Sequence, residues 1–387
     1  MENKFKIEQS LFYWLSGATA IGVLTLILGV VLSERIWPNI LLAAWYVTGI
    51  GFSGIMFVAI HYVSNAGWGV IIRRIPEAMF SVLFIGFLLM ILVVLGAHHI
   101  YEWTHLDVVA NDPVLLGKQP WLNLPGFIGR IPIYFGLWFL LGKPILNHSR
   151  KQDKTGNIIH TKKSVRWSAA FLYLGGIAFV IASFDWIMSV EPHWFSTIFG
   201  FYNFAGMFDA GLAFMIILLI FLRRSGYLPQ LKNDHLHELG RYLFAFTTFW
   251  IYIWFSQHML IWYANLPEET GYYLIRHFGA FGVLTVVNIL LNWFIPFTIL
   301  LFRNTKRSEK PLILASSIVL VGHWTDLYLM IFPPLLNENI PVFGLMEIGI
   351  FIGIFGIVCW TVLGSLSKWN MIPMGDPYLE ESLELHT

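Results

Sequence analysis

Ten runs of mostly apolar residues divide this chain, and each is long enough to cross a bilayer. They cover roughly residues 11–33, 41–63, 79–100, 128–146, 166–188, 196–222, 239–264, 274–302, 311–332 and 341–366. A membrane-spanning helix needs about 20 consecutive apolar residues. Backbone in contact with lipid must satisfy its own N–H and C=O groups, so the runs are read as α-helices. The expected fold class is an all-α integral membrane protein of about ten transmembrane helices, one polytopic domain over residues 1–387. Composition agrees: 12% of the residues are charged, against about 25% in a soluble domain.

The polar start, "MENKFKIEQS", leads straight into the first run. That run is too long for a signal-peptide core and no A-x-A-like site follows it, so it is expected to stay as a helix. Lys143 and Pro144 interrupt the end of the fourth run. Residues 101–127 and 147–165 read as the longer loops, and "GDPYLEESLELHT" reads as a mobile acidic tail.

The placement of Lys and Arg tests the count of ten, because cytoplasmic loops carry an excess of both. With the N-terminus on side one, nineteen of the 24 fall on that side. Side two holds only Arg35, Lys118, Arg130 and Arg276, and Lys143 lies inside a run. A miscount of one would scramble this division. Both termini are therefore expected in the cytoplasm. Runs two to five and six to nine read as two four-helix bundles, with the first and tenth flanking. Their ends echo one another: "FDWIMSVEP" and "TDLYLMIFPP" each place an Asp seven residues before a Pro. Parallel repeats of this kind occur in membrane proteins.

Orientation gives depth. Asp185 falls near the outer end of the fifth run, with Glu191 and His193 in the turn that follows. Asp209 falls near the middle of the sixth. His258, His323 and Asp326 lie toward the outer side of the seventh and ninth, and Glu347 in the outer third of the tenth. An Asp at a helix centre costs about 2.5–3.5 kcal/mol on insertion, so such residues face the bundle interior and find a partner or water. His323 and Asp326, three apart, share a helix face. Tyr202, Gly206, Asp209 and Ala213 form a small and polar stripe that suggests a buried helix interface. The proton-pathway candidates are Asp185, Asp209, His258, His323, Asp326 and Glu347. The plainer reading makes each an interhelical hydrogen-bonder. On the inner side the polar set is His61, Tyr62, Tyr242, Thr247 and Thr248, thin for a continuous wire.

The chemistry available to this chain is narrow. A single cysteine, Cys359, rules out a Cys-ligated iron–sulfur cluster. There is no C-x-x-C-H for a c-type haem and no phosphate loop, dinucleotide fingerprint or zinc-protease helix. Haem b needs His pairs facing across two helices; His98, His99, His258 and His323 are roughly level, but repeated paired spacing is missing. The Gly349/Gly353 pair is a G-x-x-x-G match of the kind that packs helices.

Three stretches, "HYVSNAGWGVIIRRIPEAM", "DWIMSVEPHWFSTIFG" and "GHWTDLYLM", together with the ten-run layout, resemble one family. It is the ActF-type membrane subunit of bacterial alternative complex III, a quinol:cytochrome c oxidoreductase, within the wider NrfD/polysulfide-reductase-like group. The resemblance extends over almost the whole chain. It implies residence in the bacterial cytoplasmic membrane. The implied partners are a related NrfD-like membrane subunit, an iron–sulfur subunit, multihaem and monohaem cytochromes c, small membrane subunits and lipids, with no nucleic acid. It also implies that this chain binds no cofactor: menaquinol or another quinol, and haem c, belong to the partners. Three functions fit: a cofactor-free subunit with a proton half-channel, a quinol-binding subunit using His and Asp as bases, and an independent ion-coupled transporter.

Overall fold

Why the chain folds as it does is clearest at its helix ends. Asn123 accepts a hydrogen bond from Gly126 N at 2.8 Å and Pro125 occupies the first turn, so a helix starts there. It stops where Gly156 turns left-handed at φ 62°. The structure, a computed structural model, describes residues 4–336 and 340–386. Among them are helices and no strand, with one isolated bridge between Lys4 and Asn370.

Ten long helices correspond one to one with the ten runs. They are α1 (Gln9–Leu32), α2 (Ile36–Val63), α3 (Arg74–Leu95), α4 (Leu124–Thr155), α5 (Ile159–Val190) and α6 (Phe199–Arg224). Then come α7 (Asn233–Ala264), α8 (Gly279–Leu300), α9 (Glu309–Ile331) and α10 (Leu345–Leu366). Nine of these, all but α7, are long and apolar enough to cross a membrane. The 32 residues of α7 would also reach across, but its flank is built largely from Trp, Tyr and polar residues such as Gln257 and His258.

The buried centre is α2 and α6, which pack side by side. All of the apolar window of α2 is buried and 89% of that of α6, against 17% for α1. Around α2 lie α3 and α5, with α4 packed on α5; around α6 lie α5, α7 and α9, with α8 packed on α9. The peripheral α1 is held by α10 through small residues. A Cβ at Gly353 would collide with the Gly22 backbone, and one at Gly349 with Thr25. Small residues bring helix backbones this close where no hydrophobic effect drives association.

Four expectations change. Residues 147–165 are not a loop: α4 runs through Pro144 to Thr155, and only 156–158 separate it from α5. The run expected from 274 is split at Gly279, whose φ of 63° separates an amphipathic helix, Pro267–His277, from α8. Residues 101–127 pack on the protein: Tyr101 OH and Trp103 Nε1 donate to the Trp186 and Ser189 carbonyls at 2.9 and 3.1 Å. The acidic tail is docked. Asp376 pairs with buried Arg73, and Ser382 Oγ donates to the Trp68 carbonyl at 2.6 Å and accepts from Ile71 N at 3.2 Å. Hydropathy missed this because the tail is held by its polar groups.

Candidate functional site

The ionisable residues expected in the outer half are distributed among separate sites. Asp185, fully buried, accepts from Arg130 Nε at 2.6 Å and Nη2 at 3.2 Å. It also accepts from Tyr134 OH at 2.5 Å and Trp121 Nε1 at 2.6 Å. Arg130 and Tyr134 are one turn apart on α4, which presents both to α5. The Arg130 guanidinium lies 4.4 Å from the Trp121 ring centroid. A carboxylate with a guanidinium and two neutral donors is charge-balanced and fully hydrogen-bonded. Nearby, Glu191 pairs with Arg276, and His193 Nε2 lies 2.6 Å from Asp112. Asp112 also accepts from Val114 N and Leu115 N, at 2.8 and 3.2 Å. The His193 hydrogen bond, foremost, with these N–H groups, holds the Asp112 carboxyl below its usual range.

Asp326 has a related environment with one difference. Tyr202 OH on α6 and Trp250 Nε1 on α7 (3.0 Å) donate to it, as does Asn288 Nδ2 on α8 at 2.8 Å. Behind Asn288, Asn292 donates to the Asn288 side-chain oxygen at 2.6 Å. All of these donors are neutral, and among the described residues Asp326 forms no ion pair. Next to it is a void of about 20 Å³ lined by Tyr202, Gln257, Tyr273, Arg276, Thr285 and Asn288. That is room for about one water, and the walls are polar enough to hold it. On one side of it Arg276 reaches Glu191, and Tyr272 and Glu191 line an open groove of about 580 Å³. Asn292, Asn288, Asp326, the void, Arg276 and Glu191 therefore form a polar column leading from the middle of α8 to this groove.

Asp209, His323 and Glu347 lie outside this column of contacts. Because α6 and α9 are antiparallel, Tyr202 meets Asp326 and Gly206 meets His323. The stripe from Tyr202 to Ala213 is indeed buried. Nδ1 of His323 and Oδ1 of Asp209 are buried with no hydrogen-bond partner among the described residues. The expected side-by-side relation of His323 and Asp326 yields no bond between them, because Asp326 is taken up by α6, α7 and α8. Glu347 caps α10: it accepts from Gly344 N at 2.8 Å and Asn39 at 3.1 Å, and pairs with Arg35 at 2.9 Å. His258 is stacked on Trp254 and packs against His277 and Tyr273, two residues that line the void, with centroids 4.7 and 4.9 Å away. His98 lies beside His105, and His99 is stacked on Trp37.

The polar residues expected on the inner side turn to local partners. Thr247 and Thr248 both donate to the Phe244 carbonyl, and His61 Nδ1 lies 2.9 Å from the Phe57 carbonyl. Near the start of α3 Arg74 holds Glu77 and Asp153, with Ser149 between.

Sequence reading did not single out Arg130, Tyr134, Trp250, Asn288 or Asn292. One signal was present: Asn288 and Asn292, four apart in an apolar run, share a helix face. The second falls in a π-helical turn, Leu290–Phe294, a distortion common at functional sites. Compared with known proteins, the chain matches no protein-family model and no curated sequence.

Proposed function

We propose that this chain is a cofactor-free integral membrane subunit of a quinol:cytochrome c oxidoreductase of the alternative complex III type, and that its outer half conducts protons. In this reading all ten long helices, α7 included, span the bacterial cytoplasmic membrane with both termini inside. α2–α5 and α6–α9 are the two four-helix units, flanked by α1 and α10. Quinol, haem c and the iron–sulfur clusters belong to partner subunits, and electrons travel through those chains. The sequence support is the resemblance carried by residues 61–79, 185–200 and 322–330 and the asymmetry of Lys and Arg.

The observation that carries the proton role is the polar column centred on Asp326. A buried carboxylate must be neutralised by a cation, fixed by hydrogen bonds or protonated. Asp326 has hydrogen bonds without a cation, and the adjoining void has space for a water toward the outer groove. A proton is the mobile species that fits such a site, as in the acid and histidine relays of pumps. The path begins at the outer face and ends near Asn292, a half-channel rather than a full wire.

The test is Asp326→Asn in the assembled complex, reconstituted in vesicles. The variant keeps the size and most of the hydrogen bonding but cannot release a proton. Quinol oxidation should continue while coupled proton movement stops. Loss of quinol oxidation with normal assembly would move the assignment to a quinol-binding subunit. Purification of the chain alone, active in ion transport without haem-bearing partners, would replace both.

A further inference from the structure

Of the four basic residues on the outer side, three have found an acid. Arg35 pairs with Glu347, Arg130 with Asp185 and Arg276 with Glu191. The fourth, Lys118, forms no ion pair among the described residues, and its ammonium donates to a neutral group, the Pro192 carbonyl, at 2.5 Å. It is partly buried, and with a neutral carbonyl as its acceptor and no carboxylate paired with it among the described residues, its charge is uncompensated.

Lys118 stands at the edge of a groove of about 460 Å³ between residues 117–122 and the outer end of α5. The walls are apolar, with Phe184 and Met188 on one side and Leu122 on another. Two aromatic side chains flank the opening, Trp121 and Phe195, 49% and 54% exposed. Trp121 is fixed in place by its bond to Asp185 and by Arg130 against its ring. Aromatic rings at the end of a membrane helix, with a lysine beside them, are the pattern of the lipid–water interface. The groove thus joins an apolar trough to one unpaired cation at headgroup level.

We propose that this groove is a binding site for an anionic glycerophospholipid of the outer leaflet. Its phosphate pairs with Lys118, and an acyl chain lies along Phe184 and Met188 between Trp121 and Phe195. The phosphate supplies the charge that Glu347, Asp185 and Glu191 supply to the other three outer cations. The chain replaces water over the apolar wall, at about 0.8 kcal/mol per buried CH₂. Because Trp121 is hydrogen-bonded to Asp185, an occupied groove also braces that buried pair.

The experiment is native mass spectrometry of the detergent-solubilised full-length protein, in whatever assembly it purifies. It is titrated with phosphatidylglycerol and with phosphatidylcholine of the same acyl chains. The expected result is one retained phosphatidylglycerol, bound roughly tenfold more tightly than phosphatidylcholine, a difference of about 1.4 kcal/mol. Lys118→Ala should abolish the preference while leaving weak binding of both lipids. Met188→Trp, which fills the trough, should reduce binding of both. Thermal unfolding of each variant without lipid establishes that it is folded. Equal retention of the two lipids, a preference that survives Lys118→Ala, or displacement of the lipid by inorganic phosphate alone would overturn the proposal.

Discussion

Asp185 and Asp326 sit at comparable places, near the C-terminal ends of α5 and α9 and seven residues before a proline. Each receives a tyrosine hydroxyl and a tryptophan N–H: Tyr134 and Trp121 for one, Tyr202 and Trp250 for the other. They differ in the third donor. Asp185 has the guanidinium of Arg130, and Asp326 has the neutral amide of Asn288. A guanidinium balances charge and fixes geometry, which makes Asp185 a clasp between α4 and α5. An amide fixes geometry without balancing charge, and under the proposed function this is what suits Asp326 to proton exchange. In the proposed reading the same frame serves stability at one site and proton exchange at the other through one change of donor.

The largest effect should come from breaking the charge-balanced site. Arg130→Leu leaves Asp185 buried and unpaired, at a cost of about 3–5 kcal/mol. Thermal unfolding in detergent measures it, and adding Asp185→Asn should recover much of the loss. Asn288→Leu removes one donor from Asp326 and should cost less, about 1–3 kcal/mol. Equal losses from these two variants would break the comparison, because Asn288 would then be doing what Arg130 does. The shared element predicts parity instead: Trp121→Phe and Trp250→Phe should each cost a similar amount, about 0.5–1.5 kcal/mol.

The smallest effect is at the solvent-accessible pair of His193 and Asp112. His193→Ala removes the main cause of the lowered Asp112 pKa. A depressed carboxyl contributes stability above its unfolded pKa and loses it as pH falls through the folded value. The difference in melting temperature between wild type and His193→Ala should therefore be largest near neutral pH. It should shrink below the usual carboxylate range. A difference that grows on acidification would place the coupling elsewhere.

Part of this was legible along the chain. Apolar runs of sufficient length specify membrane helices because lipid leaves the backbone no other hydrogen-bonding solution. The ten runs therefore correspond to ten long helices, nine of which are apolar enough to cross a membrane. The small residues that let α1 approach α10 were legible for the same local reason, since Gly349 and Gly353 lie one turn apart on one face.

What the sequence by itself determined is thus local: which segments are helical and which residues are too polar for lipid. Which acid meets which donor was decided only by tertiary structure. Arg130 lies 55 positions from Asp185, and Tyr202 lies 124 from Asp326. Nothing in either segment's own composition signals those meetings. For that reason Glu347 seemed to belong with Asp209 and Asp326, and is instead a helix cap held by Arg35 and Asn39. The docked tail has the same explanation, because Asp376 looks like a solvated acid until α2 and α3 place Arg73 opposite it. A side chain's cost in the membrane is set by its own chemistry, but the partner that offsets this cost comes from whichever helix the fold brings alongside.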